Sequence, residues 1–436
     1  MAKKFNITGT CIPDRHYMAD TSGKLEQVMA LVEQGEYFII NRPRQYGKTT
    51  TLFLVLKKLE QTEQYLPFSI SFEGVGDQVF QEESSFCQMF LSLLEKQARW
   101  KGNTELANFL EKESQAATEL KLLSESISRL VEKAGKKLVL LIDEVDKSSN
   151  NQLFVSFLGM LRTKFLAAAE ERDLTFHSVV LAGVHDVKTL KLKLRPDAEQ
   201  KFNSPWNIAA DFKVEMSLLP AEILPMLLEY SRDKGVKMDA PQLAERLFYF
   251  TSGYPFLVSK LCKVMDEDMP PASEWTTERL EEAVSLLLKE TNANFDSLIA
   301  NLENYPELHE LVYRIISHGE QPVFSIHDPV IQQGIMYGIL RNGGGIRIHN
   351  RIYQEIIFDY LTSKVKRKMS MNGYNFRDKF ILPGNRLDLE KVLLQFQAFM
   401  REQFSEKDRE FVERNGRLIF LAFLRPIING GGWEFK

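Results

Sequence analysis

Gly47, Lys48 and Thr49 stand between a short apolar run, Tyr37–Ile40, and a stretch with Leu52, Leu54, Val55 and Leu59 at helical spacing. A strand that turns into a helix at such a point offers backbone N–H groups and the positive helix end to an anion. Gly47 lets the backbone approach closely, Lys48 has the reach for β- and γ-phosphates, and the Thr49 hydroxyl suits Mg²⁺. The full phosphate-loop pattern is G-x-x-x-x-G-K-[ST]. The window Arg42–Thr49 meets it at its last three positions, with Arg42 where the first glycine belongs. Gln45, Tyr46 and Thr50 complete the phosphate-binding set expected here. A helix start without a ligand is the simpler alternative, and a second motif argues against it.

That motif is Asp143-Glu144-Val145-Asp146, directly after the apolar run Leu138–Ile142. A carboxylate at the tip of a buried parallel strand lies at the carboxyl edge of the sheet, where open α/β sheets bind ligands. Asp143 is therefore the expected Mg²⁺ carboxylate, direct or through water. Glu144 is placed to polarise an attacking water. Asp146 reads as a helix N-cap.

These residues need elements to hold them. Strands are expected at 37–40, 68–72, 138–142 and 178–182, alternating with helices at 86–98, 120–131 and 153–168. Such alternation implies a parallel α/β sheet with helices on both faces. Past Lys213 the strand signals give way to helices at 218–230, 241–250 and 255–265. Two prolines in Asp266–Glu274 mark a boundary. Further helices and a tight turn at Gly343-Gly344-Gly345, between Ile339–Leu340 and Ile346–Ile348, outline a winged helix.

The chain has 436 residues, 44% hydrophobic and 26% charged, and a net charge of −4, which excludes a mainly disordered chain and a wholly basic nucleic-acid coat. Three scattered cysteines build neither a disulfide framework nor a zinc site, and seven histidines form no ligand spacing. No window approaches the roughly 20 apolar residues of a membrane helix. A cytoplasmic protein without a membrane partner is the expectation.

The segments Pro43–Thr49, Leu140–Asp146 and Leu181–Asp186 resemble the AAA-like ATPases of bacteria, in the STAND and archaeal-type branch of AAA+ P-loop NTPases. Phe202–Ala209 and Thr251–Leu257 fit the same resemblance, and Gly9–Tyr17 is similar to the stretch leading into the nucleotide pocket. The resemblance covers roughly residues 5–365. It implies ATP and Mg²⁺ as ligands and an ATP-driven switch. It implies four segments: an ATPase core at 1–212, an all-α lid at 213–273, a winged helix at 274–368 and a partial α/β segment at 369–436. Gly253 and Pro255 correspond to a G-x-P element near the adenine. His185, beyond the third central strand, takes the position of a γ-phosphate sensor. No arginine finger stands out; Arg162 is the candidate.

The last segment resembles the beginning of a PD-(D/E)XK nuclease domain through Leu387–Glu390, Phe411–Arg417 and Leu424–Gly430. The D…E-x-K core that would hold Mg²⁺ is not in the sequence, and Glu413 is the one acid carried over. Nuclease activity is not expected, and a truncated or degenerate nuclease-like segment is. Three functions stay open at this point: an ATP-hydrolysing switch coupled to a C-terminal effector, a nucleotide-gated DNA-binding module with little hydrolysis, and an assembly scaffold. A role in phage defence follows by analogy, and a homo-oligomer is an expected partner. DNA contacts would come from Arg341, Arg347 and Arg351, from the Lys188–Arg195 stretch, or from Lys364–Lys368.

Overall fold

The computed structural model describes residues 2–145, 151–184, 206–366, 380–382, 386–403 and 409–429. They fall into two compact units, Met1–Val284 and Ser285–Lys436.

The first unit is built on four parallel strands, β1 (Tyr37–Asn41), β2 (Tyr65–Ser71), β3 (Lys137–Asp143) and β4 (Ser178–Gly183), in the order β1-β4-β3-β2. β3 is buried from Leu138 to Asp143 and β4 along its whole length, which explains their unbroken apolar sequences. Helix α1 (Ser22–Glu33) precedes β1, and α2 (Lys48–Glu60) leaves it to pack on β2, β3 and β4. Helices α3 (Glu83–Trp100), α4 (Thr104–Ala116) and α5 (Leu120–Ala134) lie between β2 and β3, and α6 (Gln152–Ala169) between β3 and β4. Gly135 ends α5 in the left-handed region at φ 59°, where a side chain would be strained.

The core is aromatic. Phe72, Phe80, Phe86, Phe90, Phe154 and Phe157 are buried, and their edge-on and tilted ring pairs lie 5.1–6.3 Å apart. Each such side chain contributes about 1.5–3 kcal/mol through removal from water. On the β1 edge, Trp206 is buried 5.7 Å from Tyr37, and a parallel bridge joins Phe38 to Ala210.

After the sheet come α7 (Pro220–Lys234), α8 (Ala240–Thr251), α9 (Pro255–Lys263) and α10 (Thr277–Leu287). The strand signal does not stop at Lys213. β5 (Lys237–Met238) and β6 (Glu274–Trp275) form a two-residue parallel pair, too short for any periodicity to reveal. Trp275 stacks on Tyr230 at 4.2 Å, and Tyr230 meets Phe5 and Tyr17, so the start of the chain packs on α7.

The second unit contains α11 (Ala293–Asn304), α12 (Pro306–His318), α13 (Pro329–Met336), the antiparallel pair β7 (Leu340–Asn342) and β8 (Ile346–Ile348), and α14 (Arg351–Lys366). Leu340, Ile346 and Ile348 are buried. A Cβ on Gly334 would lie 2.5 Å from Leu340 Cδ1 and 2.8 Å from its Cγ, so a larger residue there requires the Leu340 side chain to move. Of the expected nuclease-like segment, the described residues form a two-residue hairpin, β9 (Ile381–Leu382) with β10 (Arg386–Leu387), and helices α15 (Leu389–Gln403) and α16 (Arg409–Asn429). α16 packs on α12, where Asn415 accepts from the Tyr313 hydroxyl at 3.1 Å and Arg417 donates to the His318 carbonyl at 2.7 Å.

Candidate functional site

The strand order decides what meets at the carboxyl edge. β4 lies between β1 and β3, with Asn41 beside Gly183 and Ile142 beside Leu181. The loop after β1 and the carboxylate after β3 therefore flank the exit of β4, the position where open sheets bind ligands.

Gly47 caps α2 with φ 79°, and Gln45 also lies at positive φ, 56°. Two left-handed residues in so short a loop turn its backbone inward, an arrangement that suits anions. Lys48 is buried, and its ammonium donates to the carbonyls of Arg42 and Pro43, each at 2.9 Å. The loop thus holds its lysine at its own mouth.

Thr49 lies in the first turn of α2, and its hydroxyl donates to Asp143 Oδ2 at 2.7 Å. This brings together two residues that are 94 apart in sequence. Asp143 is buried, and its other oxygen accepts from the Glu144 N–H at 2.9 Å. The Thr49 oxygen keeps a lone pair while it donates, so an oxygen-preferring cation fits beside the pair. Glu144 sits at φ 54°, a region that costs a non-glycine residue about 1–3 kcal/mol and that recurs at functional sites. Thr50 faces the other way, where its hydroxyl accepts from the Cys11 N–H at 3.1 Å. The expected N-terminal stretch is thereby placed against the start of α2.

Arg42 stands where the pattern has its first glycine. Its guanidinium donates to the Val214 carbonyl at 2.7 Å and lies 5.1 Å above the Phe212 ring, which stacks on Phe38 of β1. Burial lowers its affinity for the proton, and nearby Glu215 raises it. Sequence reading identified the substitution but not its use, because Val214 is 172 residues away.

Tyr46 is 4% exposed, and its hydroxyl meets the Ser217 hydroxyl at 2.7 Å. Burial pushes its phenol well above the ordinary range, so the group stays neutral. Gly253 and Pro255 frame Tyr254, whose hydroxyl donates to the Arg44 carbonyl at 2.6 Å. The Tyr46 and Tyr254 rings meet edge-on at 4.7 Å. Gly253 has φ 73°, and a Cβ there would lie 2.2 Å from the Leu218 carbonyl oxygen. Pro255 starts α9. The element expected at the adenine is therefore attached to the phosphate loop by the residue between its two signature positions. Tyr254 and Ser217 were missed, and the only signal for Tyr254 was a large polar aromatic inside G-x-P.

His185 lies outside the described residues, as do Asp146, the 188–195 stretch and the side chains of 364–368. Arg162 is half-buried on α6 with its Nε unpartnered. Glu413 is exposed on α16. On the hairpin, Arg341 and Arg347 stand directly opposite each other. Among the described residues no cluster of three His, Cys, Asp or Glu is placed to hold a metal ion, and no helix is long and apolar enough to cross a membrane.

The AAA-like domain family matches residues 12–351. A search of the curated proteins returned no match. Among solved structures, a Walker-type ATPase of Pyrococcus abyssi is 12% identical with a TM-score of 0.56, covering 81% of this chain and 99% of its own. The ORC2 protein of Aeropyrum pernix, in ADPNP–ADP complexes, is 12% identical at TM-score 0.44, with 83% and 97% covered. The RuvB Holliday junction branch migration motor of Thermotoga maritima is 16% identical at 0.39, with 81% and 98% covered. At these identities the first likeness concerns the fold alone, an α/β P-loop NTPase sheet with helices.

Proposed function

Because the chain belongs to the AAA-like domain family, we propose that it is a Mg²⁺-dependent ATP-hydrolysing switch. The observation that carries this is the 2.7 Å hydrogen bond from Thr49 to Asp143. It joins the helix end that would take phosphate to the carboxylate that would take the metal.

The backbone N–H groups from Gln45 to Thr49, at the positive end of α2, bind the β- and γ-phosphates. Lys48 exchanges the Arg42 and Pro43 carbonyls for phosphate oxygens. Thr49 and Asp143 would hold Mg²⁺, which would neutralise charge on the phosphates. Glu144 orients the attacking water and accepts its proton. His185 senses the γ-phosphate. Gly253 and Pro255 sit at the adenine, in a lid comprising 213–273.

Lys48→Ala is expected to abolish nucleotide binding, whereas Glu144→Gln binds ATP and does not release phosphate. Unchanged phosphate release in both variants would refute the assignment.

A second reading concerns the hairpin of the second unit. We propose that 274–368 is a winged helix and that its hairpin contacts DNA. Arg341 and Arg347 stand opposite each other on the hairpin, and Arg347 is exposed, where a phosphate can reach it. Arg347→Ala should reduce the salt dependence of DNA binding by about one phosphate contact; a lack of any DNA binding at low salt removes this reading. The STAND grouping and the nuclease-like origin of 369–436 rest on the sequence resemblance, and nuclease activity is not proposed.

A further inference from the structure

Three contacts join alternate residues of the phosphate loop to the segment that follows the sheet. Arg42 reaches the Val214 carbonyl, the Arg44 carbonyl receives the Tyr254 hydroxyl, and Tyr46 meets Ser217, at 2.7, 2.6 and 2.7 Å. The receiving side is itself closed, since the Leu218 N–H donates to the Gly253 carbonyl at 2.8 Å. Tyr46 and Tyr254 are both nearly excluded from water, where hydrogen bonds are less exchangeable with solvent.

The middle contact has a direct consequence for anion binding. The Arg44 carbonyl and the Gln45 N–H belong to one planar trans peptide, so fixing one fixes the direction of the other. Gln45 is one of the two left-handed residues of the loop, at φ 56°. The Tyr254 hydroxyl therefore sets the aim of an amide in the phosphate cradle from a position on the lid. A lid that moves by more than about 1 Å must stretch this hydrogen bond beyond its useful range.

We propose that Arg42, Tyr46 and Tyr254 are positioning residues that couple the phosphate loop to the lid, so that phosphate occupancy and lid position change together. This rests on the ATP-binding reading above and deepens it. Arg42 has the glycine's place in the pattern because its guanidinium serves this coupling. Linkage makes the effect reciprocal: a lid held in its tied position raises nucleotide affinity, and bound nucleotide protects the lid.

The test uses the full chain. Tyr254→Phe removes one hydroxyl and keeps the ring against Tyr46; Ser217→Ala removes the partner of Tyr46 without touching the core. ADP and ATP affinities are measured by titration calorimetry. Hydrogen exchange of 220–263 is followed without nucleotide and at saturating nucleotide. Wild type is expected to gain protection in 240–263 on binding. Tyr254→Phe is expected to bind about tenfold more weakly, the equivalent of one lost hydrogen bond, and at saturation to gain less than half of the wild-type protection. Ser217→Ala should shift both readouts the same way, to a smaller extent. Variants that bind nucleotide and protect the lid as wild type does would overturn the coupling and leave ATP binding standing. A wild type that binds neither nucleotide overturns both. A merely structural hydroxyl would change thermal stability and leave the protection gained at saturation unaltered.

Discussion

Two halves of the site are built on different principles. On the sheet side, Thr49, Asp143 and Glu144 sit at the ends of strands or at the first turn of a helix, and they meet because the strand order β1-β4-β3 leaves their elements no other arrangement. On the lid side, Arg42, Tyr46 and Tyr254 act through long side chains that span 171 to 210 residues of sequence. The first half places short, oxygen-bearing side chains by backbone geometry. The second half ties the loop after β1 to the chain that follows the sheet, within one compact unit, through contacts that can be broken one at a time. In the proposed switch, chemistry uses the first arrangement and lid coupling the second.

The sharpest way to separate the halves is to remove the Thr49 hydroxyl. Thr49→Ala should lower phosphate release by about a hundredfold or more, the scale of losing one charge-stabilising group, with weaker Mg²⁺ dependence. Thr49→Ser keeps the oxygen and should stay near wild type. Equal activity in all three proteins would show that the bond to Asp143 is structural.

Two glycines offer the next comparison. Both need positive φ, 79° at Gly47 and 73° at Gly253. A Cβ at Gly47 meets nothing within 4 Å, whereas one at Gly253 would overlap the Leu218 backbone at 2.2 Å. Gly253→Ala should thus cost about 2–4 kcal/mol in urea unfolding, from left-handed strain together with a clash that backbone must absorb. Gly47→Ala should cost about 1 kcal/mol. If the two variants unfold alike, the close approach at Leu218 does not constrain the lid.

The same division governs what the sequence revealed. Gly47, Lys48, Thr49, Asp143 and Glu144 were legible because local patterns, an apolar strand and the residues at its tip, fix their positions. The four central strands were read within three residues of their observed ends for the same reason. Helices α1 and α4 were not read. Ser22–Glu33 contains a glycine near its start, and Thr104–Ala116 carries only three buried residues, Leu106, Ala107 and Leu110. The β5–β6 pair, two residues a side, leaves no period to detect. Arg42 was read as a departure from a pattern, since the partner that explains it, Val214, is found only by folding the chain.

A smaller effect tests whether the N-terminal stretch belongs with the rigid half. His16 Nδ1 accepts from the Ile12 N–H at 2.8 Å, and the neighbouring Cys11 N–H reaches Thr50 at the start of α2. Burial, then the charges of Lys4 and Arg15, hold the imidazole below its ordinary value. The unfolded chain therefore takes up the proton first, near pH 6.5. The stabilisation is complete above that pH and is lost as the pH falls below it toward the depressed folded value. Protonation also removes the acceptor that Ile12 uses. Hydrogen exchange of residues 11–17, corrected for intrinsic rates, should be severalfold faster at pH 5.5 than at pH 7.5 in the wild type. In His16→Gln, which keeps an acceptor without a titrating group, it should be unchanged. If both proteins respond alike, His16 does not set the acid sensitivity of the stretch.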